Sequence, residues 1–151
     1  MSGERNKSGG ANYVELCSLL FLAGVLIAVI LPGLAAVNAS KKLVSDLEGC
    51  RQNLMTISKA LEDYQKKNGG SLPARLSALT DGKEPVLPKL PLCPASGKLT
   101  YEQPNGYQFK QGGIPVFTLR CAGTYHSEAG LKKDEPYYRS LYGKVEDSKL
   151  R

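Results

Sequence analysis

Between Glu15 and Lys41 the chain carries no charged side chain, and residues 19–31 are apolar throughout apart from one glycine. A soluble fold would have to cover such a stretch on every side, whereas lipid accepts it as it stands. The 22 residues 16–37, wound as a helix, would span about 33 Å, enough to cross the hydrocarbon core of a bilayer. Of the 151 residues, roughly 110 follow this segment, enough for one small core and too few for two domains. The chain-wide averages, 23% charged and 42% apolar, would suit a plain globular protein. Their segregation along the chain argues instead against a simple soluble enzyme.

The net charge of +6 raises the question of an anionic partner. Lysines and arginines are interspersed with acidic residues, and the longest basic clusters are the pairs Lys41-Lys42, Lys66-Lys67 and Lys132-Lys133. No basic stripe forms, so nucleic acid is not an expected partner. The cysteines at positions 17, 50, 93 and 121 lack the paired spacing of a zinc site, so no metal ligands are assigned. If the domain lies outside the cytoplasm, a disulfide is the default expectation.

Three readings of the amino-terminal segment compete. A secretory signal peptide would use the small-residue site at Val37-Asn38-Ala39. A plain single-pass anchor is equally long, and Arg5 and Lys7 on one side balance Lys41 and Lys42 on the other, so charge does not orient it. The third reading takes the polar residues 1–10 as a leader cut after Gly10, which places a new amine on Ala11 one helical turn from Glu15. A carboxylate at membrane depth costs roughly 2.5–3.5 kcal/mol on insertion scales unless it is paired. The Ala11 amine, the helix dipole or the amine of a neighbouring copy would each pair it. In an array of identical subunits the last of these also penalises wrong stagger.

Gly10-Ala11-Asn12-Tyr13-Val14-Glu15 followed by an apolar helix resembles the cleavage and methylation motif of type IV pilins and type II secretion pseudopilins. That resemblance implies cleavage between Gly10 and Ala11 by a prepilin peptidase, N-methylation of Ala11, and a Glu15–Ala11 ion pair that guides assembly. Pro32, with Gly33 beside it, stands where such proteins carry a helix-loosening proline, and the pair is the expected flexing point. Ala11 and Asn12 depart from the family's usual Phe and Thr. The resemblance further implies membrane lipid, an inner-membrane assembly platform and other copies of the chain as partners.

Beyond Ser40 the apolar positions become sparse and periodic. Leu43, Leu47, Cys50, Leu54, Ile57, Leu61 and Tyr64 recur at alternating steps of 4 and 3, one stripe along a helix. Asn68-Gly69-Gly70 and Pro73 form a stop signal, so one helix is expected over residues 12–67. Three heptads are marginal for a coiled coil, and packing on the protein's own sheet is the expectation.

Pro85, Pro88, Pro91 and Pro94 repeat with the polyproline II period, which puts Leu87, Leu90 and Cys93 on one edge, ready to dock on the core. Residues 99–103, 107–111 and 115–121 read as a three-stranded meander with turns at residues 104–106 and 112–113. Phe117, Leu119 and Cys121 alternate with polar or smaller neighbours, as one buried face requires. Residues 122–151 read as loop, with a short strand near residues 137–141. Cys93 and Cys121 are the expected disulfide, closing a loop of roughly 28 residues worth about 3–4 kcal/mol. Cys50 reads as a small hydrophobe or an alternative partner, and Cys17, within the membrane, stays reduced.

The only histidine, His126, has no second ligand or nucleophile near it in sequence and reads as a surface or hydrogen-bonding residue. Asp134, Glu135, Glu146 and Asp147 could hold a structural calcium, but lack the dense spacing of a calcium loop and read as a solvated acidic surface. No cofactor and no catalytic residue is expected.

The expectation is therefore an α+β, pilin-like protein. Its leader is residues 1–10, its membrane-spanning and assembly half residues 11–40, and its globular part residues 41–151. The last comprises an amphipathic helix (41–68), a proline-rich connector (85–94), a meander (99–121) and a carboxy-terminal loop region (122–151). Function is expected to be structural: a pilus or secretion-pseudopilus subunit, held in a bacterial inner membrane with its globular part in the periplasm before polymerising. Its rivals are a membrane-tethered or secreted monomeric binding module and a DNA-uptake pilin.

Overall fold

A computed structural model describes residues 13–82, 84–103, 109–111 and 114–149. Gly10, Ala11 and the expected turns at residues 104–106 and 112–113 lie outside these. The architecture is α+β: one long helix, α1 (Tyr13–Lys67, 55 residues), and a small four-stranded antiparallel sheet. The chain divides into two compact units, one ending at Ser40 and one beginning at Lys41.

In the first unit α1 is apolar on all sides and runs through Pro32 without interruption. Leu19, Phe21, Val29 and Leu34 are 64%, 72%, 71% and 57% exposed. This stretch is long and apolar enough to cross a membrane, and none of it is buried by the protein. Glu15 stands exposed in its first turn. The Ala11 amine with which it was expected to pair is outside the described residues.

In the second unit the helix is one-sided. Leu47, Cys50, Leu54, Ile57 and Leu61 are buried, with Leu43 and Tyr64 partly so, which is the stripe that the 4-and-3 spacing predicts. The helix ends as its sequence dictates. Gly70 N–H donates to the Gln65 carbonyl at 2.8 Å, and Gly69 adopts a left-handed φ of 61° that costs a glycine nothing.

Six short strands follow: β1 (Tyr101–Glu102), β2 (Phe109–Gln111), β3 (Ile114–Val116), β4 (Thr118–Cys121), β5 (Tyr137–Arg139) and β6 (Lys144–Glu146). The main sheet has the order β1-β4-β5-β6, while β2 and β3 form a separate hairpin. This corrects the expected meander. The stretch read as one strand over residues 115–121 divides at Phe117, whose N–H donates to Ser140 Oγ at 2.7 Å and whose carbonyl accepts from Ser140 N–H at 3.0 Å. Before that point the backbone pairs with β2, and after it with β1 and β5. The carboxy-terminal region, expected to be mainly loop, supplies two of the four sheet strands.

Phe117, just before β4, and the buried face of β4, Leu119 and Cys121, join the helix stripe, Leu76, Leu79, Cys93, Tyr101 and Tyr138 in one core. Leu87 and Leu90 of the proline-rich connector pack against it, as their spacing predicts, and Val86 and Leu87 N–H both donate to the Leu79 carbonyl at 2.9 Å. Two further ties cross from the helix. Arg51 Nη2 and Nε donate to Asp147 Oδ2 at 2.6 and 3.0 Å, and Tyr138 Oη donates to Glu62 Oε1 at 2.9 Å.

Candidate functional site

Four side chains from four different segments converge at the centre of the second unit. Cys50 comes from α1, Cys93 from the end of the proline-rich connector, Cys121 from the last position of β4, and His126 from the turn beyond it. Each is buried: Cys50 and Cys93 are 0% exposed, Cys121 1% and His126 3%. Their donor atoms all lie within 4.8 Å of one another. Cys93 Sγ is 3.8 Å from Cys121 Sγ and 3.6 Å from His126 Nε2.

Local structure explains each placement. Cys50 occupies the stripe, so the same periodicity that buries Leu47 and Leu54 aims its sulfur inward. Cys93 heads a tight turn in which its carbonyl accepts from Ser96 and Gly97 N–H at 3.3 and 2.8 Å, and its own N–H donates to Lys98 O at 2.9 Å. That turn lies hard against the helix because Gly49 has no side chain: a Cβ there would stand 3.0 Å from Pro94 Cγ. Asn53, one turn on, donates to Leu92 O at 2.9 Å and to Tyr101 Oη at 3.0 Å, joining helix, connector and β1.

Cys121 pairs in register with Tyr101, and its N–H donates to the Pro136 carbonyl at 3.0 Å. The turn carrying His126 is closed at its base by reciprocal bonds. Gly123 N–H donates to Asp134 Oδ1 at 2.8 Å, and Asp134 N–H donates to the Gly123 carbonyl at 2.7 Å. Gly123 has a φ of 111° and a Cβ position 2.8 Å from the Tyr125 ring, so only glycine fits there without movement.

Hydroxyls complete the surroundings. Tyr101 Oη donates to Cys50 Sγ at 3.6 Å, and Thr100 Oγ1 lies 3.2 Å from Cys121 Sγ. The sulfurs are electrostatically unequal. The Cys121 thiol is held well below its ordinary value, first by its hydrogen bond with Cys50 and then by those with His126, Thr100 and Cys93, against burial that pushes it up. Cys50 is pushed up, by its interaction with Cys121 first and by burial second. The Tyr101 phenol is also raised, by burial first and by Cys50 second. A polarised, buried set of three sulfurs and an imidazole is suited to holding a soft cation or to forming a disulfide.

Several sequence-based expectations change here. Cys93 and Cys121 are neighbours, as the disulfide required, but they are free thiols at a separation well beyond the roughly 2.05 Å of a bond. Cys50 is in the same cluster. His126 is a buried part of it, hydrogen-bonded to Cys93 Sγ at 3.6 Å, which is the hydrogen-bonding reading of its sequence and not the surface one, and four donors widely separated in sequence come together in space. The short interval from Cys121 to His126 was the available signal.

The four acidic residues weighed for calcium do not converge on one point of the surface. Asp147 is buried against Arg51, Asp134 pairs with Arg120 at 3.1 Å, Glu135 accepts from Ser148 Oγ at 2.6 Å, and Glu146 faces Arg139 and Lys144. Pro32, Gly33 and Cys17 lie in the exposed apolar half of α1. The chain matches no protein-family model, no curated protein and no solved structure.

Proposed function

We propose that this chain is a structural subunit that is anchored by the first half of α1, cut after Gly10, and polymerised through that helix half into a pilus-like or secretion-pseudopilus filament. The observation that carries this reading is the two-fold character of one continuous helix. Its second half is fixed into a core of its own, while residues 16–37 present apolar side chains on all sides with nothing of the protein covering them. An apolar surface of that extent demands lipid or other helices. A helix that can exchange one for the other moves from a membrane into a filament without exposing itself to water.

Glu15 gives such an assembly its register, because an unpaired carboxylate among apolar helices is costly and the Ala11 amine of a neighbouring copy would relieve it. The globular unit then coats the filament and sits in the periplasm or at the cell surface. Amino-terminal sequencing of the mature protein, together with electron microscopy of cells expressing the chain, tests the proposal. The expected mature terminus is Ala11; Gly10→Val leaves the leader in place, and Glu15→Ala inserts normally but abolishes filaments. A mature terminus at Ser40, or normal filaments from either variant, would overturn it and identify a secreted or tethered module.

A further inference from the structure

We propose that Cys50, Cys93, Cys121 and His126 form a structural zinc site that locks the helix to the sheet. Tetrahedral zinc with Zn–S of about 2.3 Å and Zn–N of about 2.0–2.1 Å requires ligand separations of roughly 3.8 Å between sulfurs and roughly 3.6 Å between sulfur and nitrogen. The Cys93–Cys121 distance is 3.8 Å and the Cys93–His126 distance is 3.6 Å. A disulfide requires two sulfurs at bonding distance and has no use for the other two donors. A purely apolar cluster has no reason to hold an imidazole that is 3% exposed with its Nε2 aimed at sulfur.

The donor set selects the ion. Three thiolates with one imidazole suit zinc, and hard cations such as calcium and magnesium prefer oxygen. Burial of all four ligands leaves no open position for water or substrate, which marks a structural site and not a catalytic one. Binding proceeds without redox change: the neutral imidazole donates its lone pair, the sulfurs bind as thiolates, and any thiol protons pass to solvent. The resulting site carries one net negative charge, which the Tyr101 and Thr100 hydroxyls are placed to temper by donating to Cys50 and Cys121. The benefit to a unit with strands of only two to four residues is plain: one ion joins α1, the connector, β4 and the turn after it.

The test uses the full chain in detergent, prepared metal-free under reductant and titrated with Zn²⁺ and with Co²⁺ as a spectroscopic probe. One metal per chain is expected, with tetrahedral cobalt bands, intense sulfur-to-cobalt charge transfer and a raised melting temperature. Cys121→Ser and His126→Ala should lose stoichiometric binding, while Cys17→Ser should bind as the unaltered chain does. His126→Cys guards against early melting of the first two variants: it keeps a soft fourth ligand and should retain the metal. Tyr101→Phe should weaken affinity by about 10–100-fold without changing stoichiometry. Unaltered binding in Cys121→Ser or His126→Ala would overturn the site. So would chain isolated without reductant that contains a Cys93–Cys121 or Cys50–Cys121 disulfide and no zinc.

Discussion

The two halves of α1 share a backbone geometry and differ in everything that surrounds it. Residues 16–37 are apolar on all faces and exposed, whereas after Lys42 the apolar side chains concentrate in the stripe from Leu43 to Tyr64, whose centre is fully buried, with Val44 and Met55 exposed beside it. Uniform hydrophobicity leaves a helix without a preferred face, so its partner must surround it or be replicated around it. A stripe defines one face and therefore one neighbour, here the protein's own sheet. The change of pattern near Ser40 thus separates a half long and apolar enough to cross a membrane from a half with one preferred face, within a single helix.

The largest expected effect breaks the comparison by deleting the same side chain from both halves. Leu54 is 0% exposed and Leu26 is 59% exposed. Leu54→Ala removes buried methyl groups and leaves a cavity, an expected loss of about 2–5 kcal/mol in thermal or denaturant unfolding of the detergent-solubilised chain followed by tyrosine near-ultraviolet dichroism. Leu26→Ala should stay within about 0.5 kcal/mol in the same measurement. Equal losses would mean that both halves belong to one core.

A charge sharpens the difference from the other side. Leu26→Asp places a carboxylate in the middle of the apolar half and should cost about 2.5–3.5 kcal/mol in a membrane-insertion assay. The melting of the unit beginning at Lys41 should not change, since Leu26 takes no part in its core. Insertion as efficient as that of the unaltered chain would remove lipid as the solvent of this half.

Legibility follows the same division. Local periodicity revealed α1 to within a residue of its observed carboxy-terminal end, along with its stripe and the alternation of Phe117, Leu119 and Cys121, because each signal is contained within a few residues. Strand pairing was not legible. Nothing near residues 115–121 announces that Ser140 captures the backbone of Phe117, or that β1 must reach past β2 and β3 to pair with β4. β6 has the sequence Lys-Val-Glu, too short and too polar to declare itself, and is held by its partner β5 and by the Arg51–Asp147 ion pair beside it. The Cys/His cluster was hidden for a related reason: each donor is alone on its own element, and the fold supplies the proximity that a paired motif would have shown in sequence.

The smallest effect concerns the polar edge of the buried stripe, where Tyr138 of β5 donates to Glu62 of α1. Tyr138→Phe keeps the ring and its packing on Phe117 and removes one hydrogen bond, an expected loss of about 0.5–1.5 kcal/mol. Its pH dependence separates this bond from packing. Burial, and then the hydrogen bond to the Glu62 carboxylate, raise the Tyr138 phenol above its ordinary value of 10.0. A raised folded value means that the neutral phenol contributes stability in full below the unfolded value and loses it as pH climbs through the folded one. The gap in unfolding free energy between the unaltered chain and Tyr138→Phe should therefore be constant at neutral pH and narrow above about pH 10. A gap that persists unchanged into strong alkali would assign the loss to packing, and the helix would then rest on the sheet through its apolar stripe without help from this bond.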